Sequence, residues 1–262
     1  MATSSRASVV SSFTIIKGSL IDETYAAFQR WDLDGPKATN LERIRANGAL
    51  ASVSSNWARD VSKVLNRRFD PSGRERAVVE LAKAGCDREI WKPILLWHMT
   101  RDEFLLRDFL VNWLYDRHVD GTYRIRTEDL VPYLQGLKKR RGVQVSGDWS
   151  EATTSRVASG LLRIAADFGL LTGTLVKEFT PYHLPEGSFL YLLHAMAETE
   201  SNARKIIESA DWHMYLMSAG DVEREFLRLH QFRRLRYEVA GSLARLDLPC
   251  RSSSEYAKEL VA

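Results

Sequence analysis

Cysteine is scarce: Cys86 and Cys250 are the only two in 262 residues. They stand far apart and in no metal-ligand spacing, which points to a reduced compartment and to thiols without a structural role. Long apolar runs are missing too. The most apolar stretch, IWKPILLWHM, is interrupted by Lys92 and Pro93 and falls well short of the roughly 20 residues that cross a bilayer. No membrane association is therefore expected. The opening MATSSRASVVSSF has no apolar core followed by a small-residue cleavage site, so 1–12 reads as a disordered lead-in rather than a secretory signal. Charge of one sign is also lacking. Lys and Arg total 37 against 34 acids, a net charge of only +3, so any attraction to a polyanion must come from local clustering of cations. There is no GxGxxG, no Walker sequence, no HExxH and no fixed-period repeat. An enzyme is not expected, and no cofactor is expected.

What is present is helical periodicity. Ile15, Ile16, Leu20 and Ile21 lead into DETYAAFQRW, where Tyr25, Phe28 and Trp31 recur at helical spacing until DLDGP stops the run. ASVSSNWARDVSKVLNRRF repeats the habit: Ser54 or Ser55 can cap, and Trp57, Val61, Val64 and Leu65 form a buried stripe. Arg59, Lys63, Arg67 and Arg68 are then left outside. RERAVVELAKAG predicts a third helix ending at Gly85, and DEFLLRDFLVNWLYDRH a fourth. The expectation is a mainly α protein whose N-terminal helical bundle covers 13–118.

After His118 the pattern changes. VDGTYRIR offers an Asp-Gly turn and then Tyr123 and Ile125 alternating with Arg124 and Arg126, as a short half-exposed strand would. Thr127 can cap a helix over EDLVPYLQGLKK, with Pro132 in its first turns. A polar loop follows, and then a helix beginning near Ser150, with Asp148 and Glu151 placed for a capping box, and ending at Gly169. At 100° per residue Val157, Leu161, Ile164, Ala165 and Phe168 share one narrow face, while Ala152, Ser155, Arg156, Ser159 and Arg163 lie opposite. TGTLVKEFTPYHL then reads as strand and turn. Strand, helix, basic loop, helix and strand pair is the order of a winged helix-turn-helix over 119–185, although the loop 142–149 is long for the tight form of that turn. The remainder, 186–262, predicts three helices and RRLRYEVAGSLARLDL as a strand or hairpin. That last element reads either as part of a second, degenerate winged module or as an edge completing the first.

Two readings of the basic helix-loop-helix stretch stand side by side. In one, Ser155 and Ser159 let the helix approach a groove wall, Arg156 and Arg163 reach base edges or phosphates, and Lys138, Lys139, Arg140 and Arg141 neutralise phosphates beside it. In the other, the four cations favour a helix C-terminus and stay solvated. Lys177 on the presumed wing adds a further phosphate contact to the first reading, and Arg67 and Arg68 a more distant one. Asp116, His118 and Asp120 are the best candidate metal ligands. Alternating positions converge only on an extended strand, and Asp116 looks like the end of a helix. His98, His183, His194, His213 and His230 are scattered among apolar residues, without a nucleophile motif beside them.

SFTIIKGSLIDETYAAF near the start, NRRF closing the second helix, LLRDFLVNWL before the strand and WSEATTSRVASGLLRIAADFGLL resemble the BrxA family of BREX bacteriophage-exclusion systems. The likeness covers roughly 12–250, in spread-out apolar and polar patterns without a catalytic signature. It implies a small, cytoplasmic, mostly helical protein encoded with a defence system that discriminates phage DNA from methylated host DNA. It also implies an N-terminal part similar to the antitermination factor NusB, winged-helix-like elements, and double-stranded DNA as the partner. A non-enzymatic DNA-binding component is the expectation. The alternative is an adaptor whose helical half docks other BREX proteins, marked by exposed aromatics on the N-terminal bundle and having no DNA affinity of its own.

Overall fold

Gly18 splits the first helical stretch in two. In the computed structural model, which describes residues 9–46, 54–70, 73–137, 143–145, 147–241 and 243–262, the two-residue strand β1 (Val9–Val10) leads into α1 (Ser12–Lys17). Gly18 then takes φ 89° and Leu20 φ 54° before α2 (Ile21–Gln29) begins. Leucine is disfavoured in the left-handed region by about 1–2 kcal/mol. Here its side chain is buried and its carbonyl accepts both the backbone N–H and the hydroxyl of Thr24, at 2.8 and 2.6 Å.

α3 (Lys37–Ala46), α4 (Ser55–Arg68), α5 (Arg76–Lys83) and α6 (Arg88–Asp102) follow. α4 and α5 stand where periodicity put them, with Ser54 accepting from the Trp57 N–H and Gly85 at φ 76° closing α5. α3 and α6 lie within the expected helical bundle, but no separate helix was expected over either of them. In α6 the proline removes one backbone hydrogen bond, but the side chains of Trp91, Ile94, Leu95 and Met99 are completely buried. That burial is worth roughly 1.5–3 kcal/mol for each large apolar side chain and outweighs the missing bond.

The long aromatic helix is continuous but irregular. α7 (Phe104–Asp108) passes through a π-helical segment, Phe109–Leu114, into α8 (Tyr115–Val119). The carbonyl of Val111, inside that segment, lies 3.3 Å from Nδ1 of His213, whose ring stacks on Tyr115. The strand expected from VDGTYRIR shrinks to one residue: only Ile125 pairs, exchanging two 2.8 Å hydrogen bonds with Lys177. A 3-10 turn, Thr127–Leu130, runs into α9 (Val131–Leu137), with Pro132 in its first turn. Asp129 caps the start by accepting the Arg126 N–H at 2.7 Å, a role expected of Thr127.

β2 (Gln144–Val145) runs parallel to β1 and precedes α10 (Glu151–Asp167). Ser150 caps α10 by accepting from the Thr153 N–H, where the sequence suggested Asp148 and Glu151. Gly169 at φ 78° stops it before the hairpin β3 (Leu171–Thr172) and β4 (Glu178–Phe179). Then come α11 (Glu186–Ala197), α12 (Ala203–Ile207), a 3-10 turn at Ala210–Tyr215, and α13 (Ala219–Gln231). The hairpin β5 (Arg236–Ala240) and β6 (Leu243–Asp247) and α14 (Ser253–Leu260) complete the chain. Among the described strands β5 and β6 pair only with each other, so this hairpin does not complete the β3–β4 sheet. The protein is mainly helical, and one apolar core runs from Val10 to Ala257. α14 packs between α5 and α11 as part of it.

Candidate nucleic-acid interface

The capped helix α10 is amphipathic, but its buried side is wider than the narrow stripe expected. Ala158, Gly160 and Leu162 are buried along with Val157, Leu161, Ile164 and Ala165. The extra coverage comes from α1, which packs along one flank of α10. At Gly160 the approach is so close that an added Cβ would stand 2.7 Å from the Ile15 carbonyl oxygen, so glycine is needed here for contact rather than for backbone freedom. Exposed along α10 are Glu151, Ala152, Ser155, Arg156, Ser159, Arg163 and Asp167, so the strip of Ser155, Arg156, Ser159 and Arg163 has one carboxylate at each end. Neither arginine has an ion-pair partner among the described residues. The Arg163 guanidinium lies against Gly18, occupying the space a Cβ there would fill.

Arg68 does not belong to this surface, and the expectation that it reaches solvent is corrected. Its side chain is 1% exposed. Nη2 donates to the carbonyls of Thr14 and Gly18 at 2.9 and 3.0 Å, Nη1 to that of Ser19 at 3.1 Å, and Nε to Glu103 at 3.4 Å. Glu103 in turn accepts the Thr14 hydroxyl at 2.9 Å. Burial pushes the guanidinium below its ordinary pKa, and Glu103 opposes that shift. Arg68 is thus a clamp on the last carbonyls of α1, a C-terminal cap supplied from another helix. Arg67, one residue earlier, is exposed and donates to the Ser11 hydroxyl at 3.0 Å.

Lys177 sits on the outer arm of the β3–β4 hairpin, and its ammonium turns back to the Gly173 carbonyl in the same turn. Lys138, Lys139, Arg140 and Arg141 lie outside the described residues. The structure therefore brings Arg156, Arg163, Ser155 and Ser159 together, places Lys177 on the neighbouring hairpin, and puts Arg67 beyond α1. Lys17 escaped the sequence reading. It bridges α1 to α4 through Asp60 at 2.6 Å, and nothing in a lone lysine closing a short helix distinguishes it beforehand.

Asp116, His118 and Asp120 ride on or just after α8 and do not converge. Among the described residues no three His, Cys, Asp or Glu side chains could hold a metal ion together. His118 instead lies against the Phe179 ring, and Asp120 faces Arg117 at 3.8 Å. No helix among the described residues is long and apolar enough to cross a membrane.

These elements define a mainly helical protein that carries a capped helix with a cationic, small-residue outer strip beside a short hairpin. The BrxA family model matches residues 12–195, most of the chain, ending inside α11. The chain belongs to the BrxA family and is a component of BREX phage defence. No curated protein matches it.

Proposed function

We propose that this chain is a non-enzymatic component of its defence system that binds double-stranded DNA through the outer strip of α10. The observation that carries this reading is the strip itself: two exposed arginines two turns apart, with Ser159 between them and Ser155 beside the first, and neither with an ion-pair partner among the described residues. A groove wall can approach serines closely, and guanidinium groups suit phosphates and guanine edges alike. The order of elements supports a winged-helix reading. Ile125 pairs with the outer arm of the β3–β4 hairpin, α9 and α10 stand between them, and α10 takes the recognition position. On this proposal the hairpin is the wing, the N-terminal bundle over 13–118 is the NusB-like part, Lys138 to Arg141 hold the phosphate backbone, and the protein works in the cytoplasm.

Fluorescence anisotropy of an unrelated labelled duplex across a salt series tests this. Wild type is expected to bind and to weaken steeply with salt. The double variant Arg156→Ala, Arg163→Ala is expected to lose most of its affinity and to lower the log–log salt slope by about 2. Absence of binding even at low salt would overturn the reading.

The adaptor reading has one observation in its favour. Leu227 and Phe232 of the α13 region and Val239 of β5 are 48%, 64% and 47% exposed, more than large apolar side chains ordinarily are. They belong to the C-terminal part and include one aromatic, whereas an adaptor was expected to carry exposed aromatics on the N-terminal bundle. Other BREX proteins are the partners this surface would serve.

A further inference from the structure

Two basic patches that are far apart in the sequence lie on opposite sides of α1. On one side, Gly160 of α10 meets the Ile15 carbonyl and Arg163 meets Gly18, so α10 follows α1 along its length. On the other side, Arg67 of α4 bonds to Ser11 at 3.0 Å and Asp60 to Lys17 at 2.6 Å, so α4 runs antiparallel along the other flank. Arg59, Lys63 and Arg67 recur every four residues on α4 and all three are exposed. Arg59 donates only to the neutral Asn56 side chain and Arg67 to a hydroxyl, while Lys63 has no ion-pair partner among the described residues. Of the nearby acids, Asp60 is paired with Lys17, whereas Asp167 accepts only the neutral Ser19 hydroxyl at 2.6 Å and keeps its charge, as the exposed Glu151 does, so the cations outnumber the acids rather than standing alone. Lys17 holds the Asp60 carboxyl below its usual range, helped by Lys63 and Arg59 nearby.

We propose that the DNA-binding surface continues from α10 across α1 onto α4, so that Arg156 and Arg163 on one side and Arg59, Lys63 and Arg67 on the other contact phosphates of the same duplex. The proposal rests on the reading that α10 binds DNA. Packed helices stand about 8–10 Å apart, so two helices that both pack on α1 have axes no more than roughly 16–20 Å from each other. The major groove is about 12 Å wide, so long arginine and lysine side chains on the two helices can reach the backbones on either side of it. α1 presents Ser12, Phe13, Ile16 and Lys17 between the two rows, all half-buried, and would lie along the groove mouth. A polyanion with two parallel lines of charge fits two rows of cations better than a single acidic peptide does.

The test uses the full chain in three forms with a labelled duplex of about 20 base pairs across a salt series: wild type, Arg59→Ala with Lys63→Ala, and Arg156→Ala with Arg163→Ala. Both altered residues on α4 are exposed, so an unchanged melting temperature is expected to accompany the change. The α4 variant is expected to bind roughly tenfold or more weakly and with a salt slope lower by about 2. Wild-type binding lost in the α10 variant but unchanged in the α4 variant would overturn the extension while leaving the α10 reading intact. No binding by wild type would instead overturn the α10 reading, and the extension with it. A second α4 variant, Arg59→Lys, keeps the charge and is expected to bind as wild type does; a loss there equal to that of the alanine pair would also count against phosphate contact.

Discussion

Arg67 and Arg68 are neighbours of the same type with opposite surroundings, and the difference is measurable. Replacing Arg68 by methionine leaves the Glu103 carboxylate buried without its cation and frees three carbonyls around Gly18. Removing one partner of a buried pair costs about 3–5 kcal/mol. Replacing Arg67, which is itself exposed and has one contact, a neutral hydroxyl, should cost no more than about 1 kcal/mol. Urea denaturation of the two variants is expected to separate them clearly, and equal losses would show that the clamp is not there. The signal for Arg68 was present in the sequence. Val61, Val64, Leu65 and Arg68 continue one helical stripe, while Arg67 is turned about 100° away from Arg68. The cluster of charges concealed a position on the core face. Gly160→Ala poses a similar contest. Alanine favours a helix by about 0.5–1 kcal/mol, but a Cβ 2.7 Å from a backbone carbonyl forces α1 away, and overpacking costs about 1–3 kcal/mol. A lower melting temperature is the expected result.

Elements with a full apolar stripe were legible, α4 and α10 with a capping serine and α5 without one. α3 has few apolar residues and α6 contains a proline, so their helicity comes from tertiary packing that no local pattern reports. The single-residue pairing of Ile125 has the same origin, because its partner Lys177 lies beyond two helices. The strip on α10 was readable as a face, but its flank under α1 was not, since a helix cannot announce what docks on it. α14 depends on a histidine. The His194 ring stacks on Tyr256, Nδ1 lies 2.6 Å from the Leu190 carbonyl and Nε2 accepts the Cys250 N–H at 3.3 Å, an arrangement that uses the neutral tautomer fully. Burial lowers the His194 pKa, against the pull of the Leu190 carbonyl and nearby glutamates. A folded-state pKa below the unfolded value of about 6.5 means that the unfolded chain binds the proton better. The stabilisation is therefore present above about 6.5 and is lost as pH falls from there towards the folded value. Hydrogen exchange in α14 is expected to accelerate at pH 5.5 relative to pH 7.5, after correction for intrinsic rates. His194→Gln should remove much of that difference.

At the scale of the whole molecule, charge balance and local cation rows coexist. Net +3 over 262 residues gives little long-range attraction, so whatever DNA affinity the protein has should vanish within a modest rise in salt, as screened local contacts do. The same scale governs how α1 is held. Its carbonyls are clamped by α4, its flank is filled by α10, and the strand before it pairs with Gln144 and Val145. In the full chain Gly160→Ala is expected to speed hydrogen exchange at the amides of Ile15 to Gly18, and unchanged protection there would contradict the role given to α10. During synthesis the ribosome releases α1 long before Gly160 exists. α1 is therefore made early and settles late, and until α10 emerges the growing chain carries a half-apolar segment that a chaperone can grasp.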